Sequence, residues 1–201
     1  MGKISNFSVF QTSKELMTNT YVFEIEGVNY IVDPGKGIRK YIDNQKNYEV
    51  LLTHGHYDHI AGLEEIKVNR LFISPEDSAC LTDPNSNLSV LFDTLFSMDI
   101  RWYNIDEYFQ TIPAPGHTPG SRVIIFEGYI FTGDVVFADT IGRVDLYLDS
   151  SMRKVMHMEM KRTLANLKEE FRKLPQDWRV CPGHGEIVEL SKLFVINPYF
   201  K

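Results

Sequence analysis

The chain is short of the residues that mark several common protein classes. Two cysteines in 201 residues, Cys80 and Cys181, are too few for a disulfide framework. Basic residues are outnumbered, with 21 Lys+Arg against 27 Asp+Glu and a net charge of −6. That balance argues against the positive face that nucleic acid or an anionic membrane requires. No window approaches the roughly 20 apolar residues of a bilayer-spanning helix. The opening MGKISNFSVF has no uninterrupted apolar core of the kind a secretory signal carries. The expectation is a soluble cytoplasmic protein, one domain over residues 1–201, and nothing in these features says what it acts on. Nucleic acid and membrane are not expected as partners, and the oligomeric state is left open. What the chain does have is 43% hydrophobic residues, enough to fill a sizeable core.

The apolar pattern reads as mixed α/β. Residues 21–25 and 30–32 are short β-branched and aromatic runs joined across Glu26-Gly27, a hairpin. A helix is expected over residues 38–45, then a buried strand over 50–53. A short helix over 60–66 would begin near Asp58 as its cap, and a strand follows over 71–74. Residues 81–100 open with turn-formers and continue amphipathically, an excursion over the surface and a candidate lid. A second hairpin crosses Glu127-Gly128. The longest helix starts near Ser150 or Ser151. Its stripe of Met156, Met160, Leu164, Leu167, Phe171 and Leu174 steps by four and three, and Pro175 stops it. A last strand covers residues 178–181. The two hairpins superpose in sequence at an offset of 101 residues, and the register carries Asp33 onto Asp134. This predicts two similar halves packed as a four-layer αββα sandwich.

The six histidines are placed unusually. Three lie in His54-Gly55-His56-Tyr57-Asp58-His59, two in Pro115-Gly116-His117 and Pro182-Gly183-His184, and only His157 stands apart, off the apolar stripe of the long helix and expected in solvent. Alternate residues leaving a strand point the same way, so His54 and His56 can chelate one ion. Asp58 and His59, where the chain turns into a helix, can face the same pocket from the other side. Asp134, in Thr132-Gly133-Asp134, follows another strand. Five histidines and two aspartates suit two divalent ions sharing one carboxylate. Imidazole with carboxylate and no thiolate suits zinc, iron or manganese, with zinc the first expectation. Asp33 would steady a ligand from behind, with a turn-capping aspartate before Pro34-Gly35 as the plainer account. Arg143, nine residues past Asp134, could reach a substrate carboxylate through its planar fork. Tyr57 would line the pocket mouth, and Cys181 reads as an interior thiol.

The order HxHxDH, GHTPGS, TGD, PGHG resembles the metallo-β-lactamase superfamily, and within it the glyoxalase II-like (hydroxyacylglutathione hydrolase-like) hydrolases, from Asp33 to His184. Gly142-Arg143-Val144-Asp145 and Asn197-Pro198-Tyr199 resemble strings of its short members. The resemblance implies an αββα fold, a first metal on His54, His56 and His117, a second on Asp58, His59 and His184, and Asp134 bridging. Two such ions would share a water and lower its pKa from 15.7 to about 7, giving a hydroxide that attacks a thioester, ester or lactone carbonyl. Asp58 would be the catalytic side chain, orienting that hydroxide.

Only 17 residues follow His184, so the helical region that grips glutathione in full-length glyoxalase II is not expected. The superfamily also contains mononuclear-iron persulfide dioxygenases, the alternative reading, whose iron would sit on His54, His117 and Asp134. A non-catalytic relative would have lost ligands, and none is lost here. His56 separates the chain from flavodiiron proteins. The absence of a cysteine between His117 and Cys181 separates it from β-lactamases that use a cysteine ligand there. Substrate choice would fall to the loops at 81–100 and 139–148.

Overall fold

The computed structural model describes residues 2–146 and 149–201, which fall into two compact units, Met1–Tyr108 and Phe109–Lys201. Tyr147 and Leu148, at the end of the expected substrate loop, lie outside the described residues.

In the first unit, strands β1 (Ser5–Thr12), β2 (Thr18–Ile25), β3 (Val28–Val32), β4 (Asn47–Leu51), β5 (Lys67–Ile73) and β6 (Trp102–Asn104) pair in chain order. The first three run antiparallel, and β3 through β6 run parallel. The hairpin at Glu26-Gly27 is a two-residue turn with both residues at positive φ (51° and 82°), the twist that suits neighbouring strands. Ile31, Val50, Leu52, Leu71 and Ile73 from the sheet pack with Ile60, Leu63, Leu81 and Phe96 from the segments that follow β4 and β5. Parallel strands must cross over between ends, so the three junctions that follow β3, β4 and β5 fall at one edge of the sheet.

In the second unit, β7 (Thr111–Pro113), β8 (Arg122–Phe126) and β9 (Tyr129–Gly133) form an antiparallel meander. A 23-residue helix intervenes before β10 (Arg179–Pro182) returns parallel to β9, and β11 (Val188–Glu189) closes the edge. That helix covers Ser150–Arg172. Asp149 caps it, accepting from the N–H groups of Ser151 and Met152. Its buried residues include Met156, Met160, Leu164, Leu167 and Phe171, as the stripe predicts, and the last four pack with Val123, Ile125, Ile130 and Val180. A short final helix, Leu190–Ile196, adds Leu190 and Leu193 to the same core. No described helix is long and apolar enough to cross a membrane.

The internal repeat survives in the hydrogen-bond register. Phe23 pairs with Tyr30 in one hairpin, and Ile124 pairs with Phe131, each 101 residues on, in the other. In both units the second hairpin strand then pairs parallel with a strand that ends just before a histidine motif.

Two expectations need correction. The helix over 38–45 is a single 3-10 turn, Ile38–Lys40, because Asp43 Oδ1 accepts from Gln45 N–H and makes a competing turn. Asp58 does not cap a helix over 60–66. His56 holds the cap position of a four-residue helix, Tyr57–Ile60, which tightens into a 3-10 segment, Ala61–Glu65, with Asp58 inside its first turn. The Asp58 carboxylate is drawn to Thr18. Within the excursion at 81–100, the amphipathic stretch forms a 3-10 turn, Ser89–Phe92, bracketed by Leu88 and Asp93 at φ 65° and 51°. Strand β1 was not expected at all. A register shift between Ser5 and Ser8, with Asn6 at φ 52°, interrupts the alternation that would reveal it.

Candidate metal centre

The first cluster grows from the end of β4. Past Leu51 the backbone leaves the sheet through Thr53, His54, Gly55 and His56 into the short helix that carries Asp58 and His59. Gly55 donates its N–H to Asp77 Oδ2 at 3.1 Å, and a Cβ on it would run into the Cys80 side chain. Only glycine lets the His54–His56 turn lie this close to the neighbouring segment. The helix N-terminus is tied by Asn87, whose carbonyl accepts from Tyr57 N–H at 2.7 Å.

Asp33, at the end of β3 and at φ 52°, is the hub. Its carboxylate accepts from Thr53 N–H (2.8 Å), Thr53 Oγ1–H (2.6 Å) and His59 Nδ1–H (3.0 Å). A carboxylate only accepts, so His59 must carry its proton on Nδ1 and present a lone pair at Nε2. The one Thr53 hydroxyl hydrogen is spent on Asp33. The 3.1 Å contact from Thr53 Oγ1 to His54 Nδ1 therefore runs from His54 N–H to the hydroxyl oxygen, and His54 likewise presents Nε2 as an acceptor. Asp33 thus sets two imidazole tautomers, one directly and one through a threonine. Its own oxygens lie within ligand range of His54 and His59, but hydrogen bonds already occupy them. Asp33 orients, as a group standing behind metal ligands does.

The imidazoles of His54 and His56 stand edge to face with centroids 4.8 Å apart, and those of His54 and His59 are tilted at 55° with centroids 4.2 Å apart. All three are buried, as is Asp58. Asp58 Oδ2 accepts from Thr18 Oγ1–H at 2.7 Å and lies 3.2 Å from His59 Nε2.

The second cluster belongs to the other unit. His117 sits in a tight turn closed by Gly116 N–H to Thr118 O (3.1 Å) and by Thr118 to Ser121 through their hydroxyls (2.6 Å), which accounts for the GHTPGS string. The long helix braces it, Thr163 Oγ1 donating to Pro115 O at 2.7 Å. His117 Nδ1–H donates to the carbonyl of Arg143 at 2.8 Å, leaving Nε2 as the acceptor. Asp134 follows β9, and one of its oxygens, Oδ2, lies 3.6 Å from His117 Nε2 and 3.4 Å from His184 Nε2. Gly142 is packed so tightly that a Cβ would strike the Asp134 carbonyl and come within 3.3 Å of His117 Nδ1.

These separations carry chemical information. They exceed the 2.9–3.0 Å typical of an N–H···O bond. Two donors each about 2.0–2.1 Å from a tetrahedral ion stand about 3.3 Å apart, which is the spacing found on both sides of Asp134 and between His59 and Asp58. The donor set, imidazole and carboxylate without thiolate, suits divalent zinc, iron or manganese. Both cysteines are buried, and burial pushes each thiol's pKa well above its ordinary value, Cys80 with help from Asp77 and Asp83. Neither is a thiolate ligand or a nucleophile at neutral pH.

The remaining expected residues fall as follows. Cys181 is interior and His157 is exposed, as read from the sequence. Tyr57 packs against Phe92 and Phe96 beside Asp58. Arg143 is exposed, with its guanidinium on Asp145 through two bonds of 2.8 and 3.1 Å; that hydrogen-bonded partner raises its pKa further. Its contact with the cluster is made by its carbonyl. Sequence reasoning missed Thr18, Thr53, Asn87 and the packing of Gly142. Thr53 could have been found as a hydroxyl adjoining a ligand; Thr18 is 40 residues from Asp58 and leaves no local signal.

A family model described as the metallo-beta-lactamase superfamily matches residues 13–184. A probable metallo-hydrolase of Streptococcus pyogenes is 28% identical over 206 residues, covering 90% of this chain and 85% of that protein. A hydroxyacylglutathione hydrolase of Halorhodospira halophila is 31% identical over 140 residues, covering 70% of this chain and 48% of that protein. Among solved structures, the BLEG-1 B3 metallo-beta-lactamase has a TM-score of 0.79 at 25% identity, over 97% of this chain and 99% of that one. TTHA1623 in a di-iron-bound form has a TM-score of 0.68 at 25% identity, over 92% and 96%. The two sheets described above are those of this shared fold.

Proposed function

The chain belongs to the metallo-β-lactamase superfamily of metal-dependent hydrolases, and from that premise we propose that it cleaves a thioester, ester or lactone of a small molecule at a dinuclear metal centre. In this reading the two clusters form one site within a single domain over residues 1–201. His54, His56 and His117 hold one ion; Asp58, His59 and His184 hold the other; Asp134 bridges them. Zinc is the first candidate, and the di-iron form of TTHA1623 keeps iron in play.

The observation that carries the proposal is the tautomer control. Asp33 through His59 and Thr53, and the Arg143 carbonyl through His117, aim imidazole lone pairs inward. At His59 the Nε2 lone pair faces Asp58 Oδ2 at 3.2 Å, a spacing that suits two ligands of one cation. The longer 3.4 and 3.6 Å approaches to Asp134 fit an intervening cation better than a proton.

Bound divalent metal supplies an acidified water and a Lewis acid for the carbonyl oxygen. The chain's own residues do the rest. Asp58, anchored by Thr18, holds the attacking water's proton and fixes its direction. No side-chain nucleophile takes part: both thiols are protonated, and Ser13 Oγ is committed to the Asp58 carbonyl at 2.9 Å. Arg143 could bind a substrate carboxylate only by exchanging it for Asp145. Nucleic acid and membranes are not partners in this reading. A reducing, cytoplasmic location agrees with two unpaired buried thiols.

The test is a panel of thioesters, aryl esters, lactones and one β-lactam, assayed with metal-stripped and zinc-, iron- or manganese-reloaded protein. Metal-restored hydrolysis of a thioester, ester or lactone is expected. Hydrolysis of the β-lactam alone, or oxygen uptake with glutathione persulfide by protein holding one iron, would overturn it.

A further inference from the structure

The first unit has a cleft of about 490 Å³ whose lining includes Asp58 and extends away from it over residues that the proposed hydrolysis gives no role. Its lining mixes two chemistries. Leu16, Tyr57 and Phe92 supply an apolar wall, with Tyr57 and Phe92 rings 5.8 Å apart. Lys14, Lys36 and Lys40 supply cations, drawn from two loops, in a chain whose net charge is −6. Among the described residues none of the three ammonium groups has an ion-pair partner.

Three carboxylates share the lining, and one of them is Asp58, whose Oδ2 accepts from Thr18 Oγ1–H. Glu65 already accepts from Gly37 N–H (2.9 and 3.0 Å) and Arg39 N–H (3.2 Å), so it holds the loop rather than the lysines; Glu15 is exposed. The two lysine-bearing loops are stitched together and to the metal motif by one residue. Ser13 N–H donates to Lys36 O (2.8 Å), Ser13 Oγ accepts from Lys36 N–H (3.1 Å), and the same hydroxyl donates to Asp58 O (2.9 Å). The backbone that carries Lys14 and Lys36 is therefore tied to that of Asp58, while the three lysine side chains themselves are exposed, and the same three lysines line an adjoining cleft of about 460 Å³.

We propose that this cleft is the subsite for an organic anion: a substrate with an apolar or aromatic segment lying on Leu16, Tyr57 and Phe92 and a carboxylate, phosphate or sulfonate end paired with Lys14, Lys36 and Lys40. The placement of the scissile bond at Asp58 rests on the hydrolase reading; the recognition of the anion does not. A cleft of this size accommodates a small ligand, and the ammonium groups act as point charges for any of the three anions.

Two readouts separate the proposals. The first is the ratio of kcat/KM for 4-acetoxybenzenesulfonate to that for phenyl acetate with reloaded enzyme. The second is calorimetric binding of benzenesulfonate, which needs no turnover. The double variant Lys36→Gln/Lys40→Gln is expected to lower the ratio at least tenfold and to weaken benzenesulfonate binding by a similar factor. Lys36→Arg/Lys40→Arg should restore both, and Lys192→Gln, on the exposed side of the last helix, should change neither. If neither these esters nor any thioester or lactone of the panel is hydrolysed but lysine-dependent benzenesulfonate binding persists, the hydrolase reading fails and the subsite stands. Benzenesulfonate binding that is absent, or unchanged in the double variant, overturns the subsite.

Discussion

At the scale of single residues the site is a problem in proton placement. An imidazole binds metal through one nitrogen only if the proton is held on the other, and Asp33 does this for His59 directly and for His54 through Thr53. Asp33→Asn keeps the shape but adds a donor, which must face Thr53 or His59, both of which already donate. We expect metal affinity to fall about 10–100-fold, measured by competition with a chromogenic chelator; unchanged affinity would remove Asp33 from this role. Asp134→Ala is expected to lose metal and activity together, while His157→Ala, on the exposed helix face, loses neither. The buried thiols give a pH prediction. Their raised pKa in the folded state means the protonated form is favoured by folding, so this contribution is complete below the ordinary value of 9.0 and is lost as pH rises beyond it. Cys80 and Cys181 should react with a disulfide reagent at pH 8 only at the rate of unfolding; fast modification of native protein would contradict their burial. The residues proposed as ligands stand out in the sequence because metal chemistry restricts residue type and spacing. Thr18 does not, since its partner lies across the sheet.

At the scale of elements the site depends on turns that side chains and glycines hold shut. Asn197 is fully buried and donates to the carbonyls of Phe137 and Thr140, both at 2.9 Å, while accepting from Tyr199 N–H. It pins the loop that runs from Asp134 toward Gly142. Asn197→Ala should cost ~2–3 kcal/mol of stability by leaving those carbonyls unsatisfied, read as a lowered denaturation midpoint with an unchanged m-value. Gly142→Ala should fold less stably and bind metal more weakly, because its Cβ displaces Asp134. The strands, the hairpins and the long helix could be read from apolar periodicity. The short helical segments were legible in part. Residues 38–45 carry helix-compatible residues, but Asp43 turns the chain locally. The segment expected over 60–66 is helical, as Tyr57–Ile60 followed by Ala61–Glu65, but it starts at His56, where Asn87 O accepts from Tyr57 N–H. Asn87 lies 30 residues on, and a linear pattern does not encode that contact.

At the scale of the whole molecule, two units repeat one plan: an antiparallel hairpin, an aspartate at its end, a parallel strand and a histidine beyond it. The offset of 101 residues made that plan visible before any coordinates. It did not show that one half replaces the other's 23-residue helix with a single 3-10 turn. Each unit has its own apolar core, so Leu167→Ala in the second should cost about 2–5 kcal/mol, measured by denaturant titration. The central claim is that the two clusters act as one dinuclear centre, and metal stoichiometry tests it most directly. Elemental analysis of protein purified without added metal, then reloaded, should give two divalent ions per chain. Asp134→Ala should fall below one. A wild-type value of one ion or none after reloading would contradict the account.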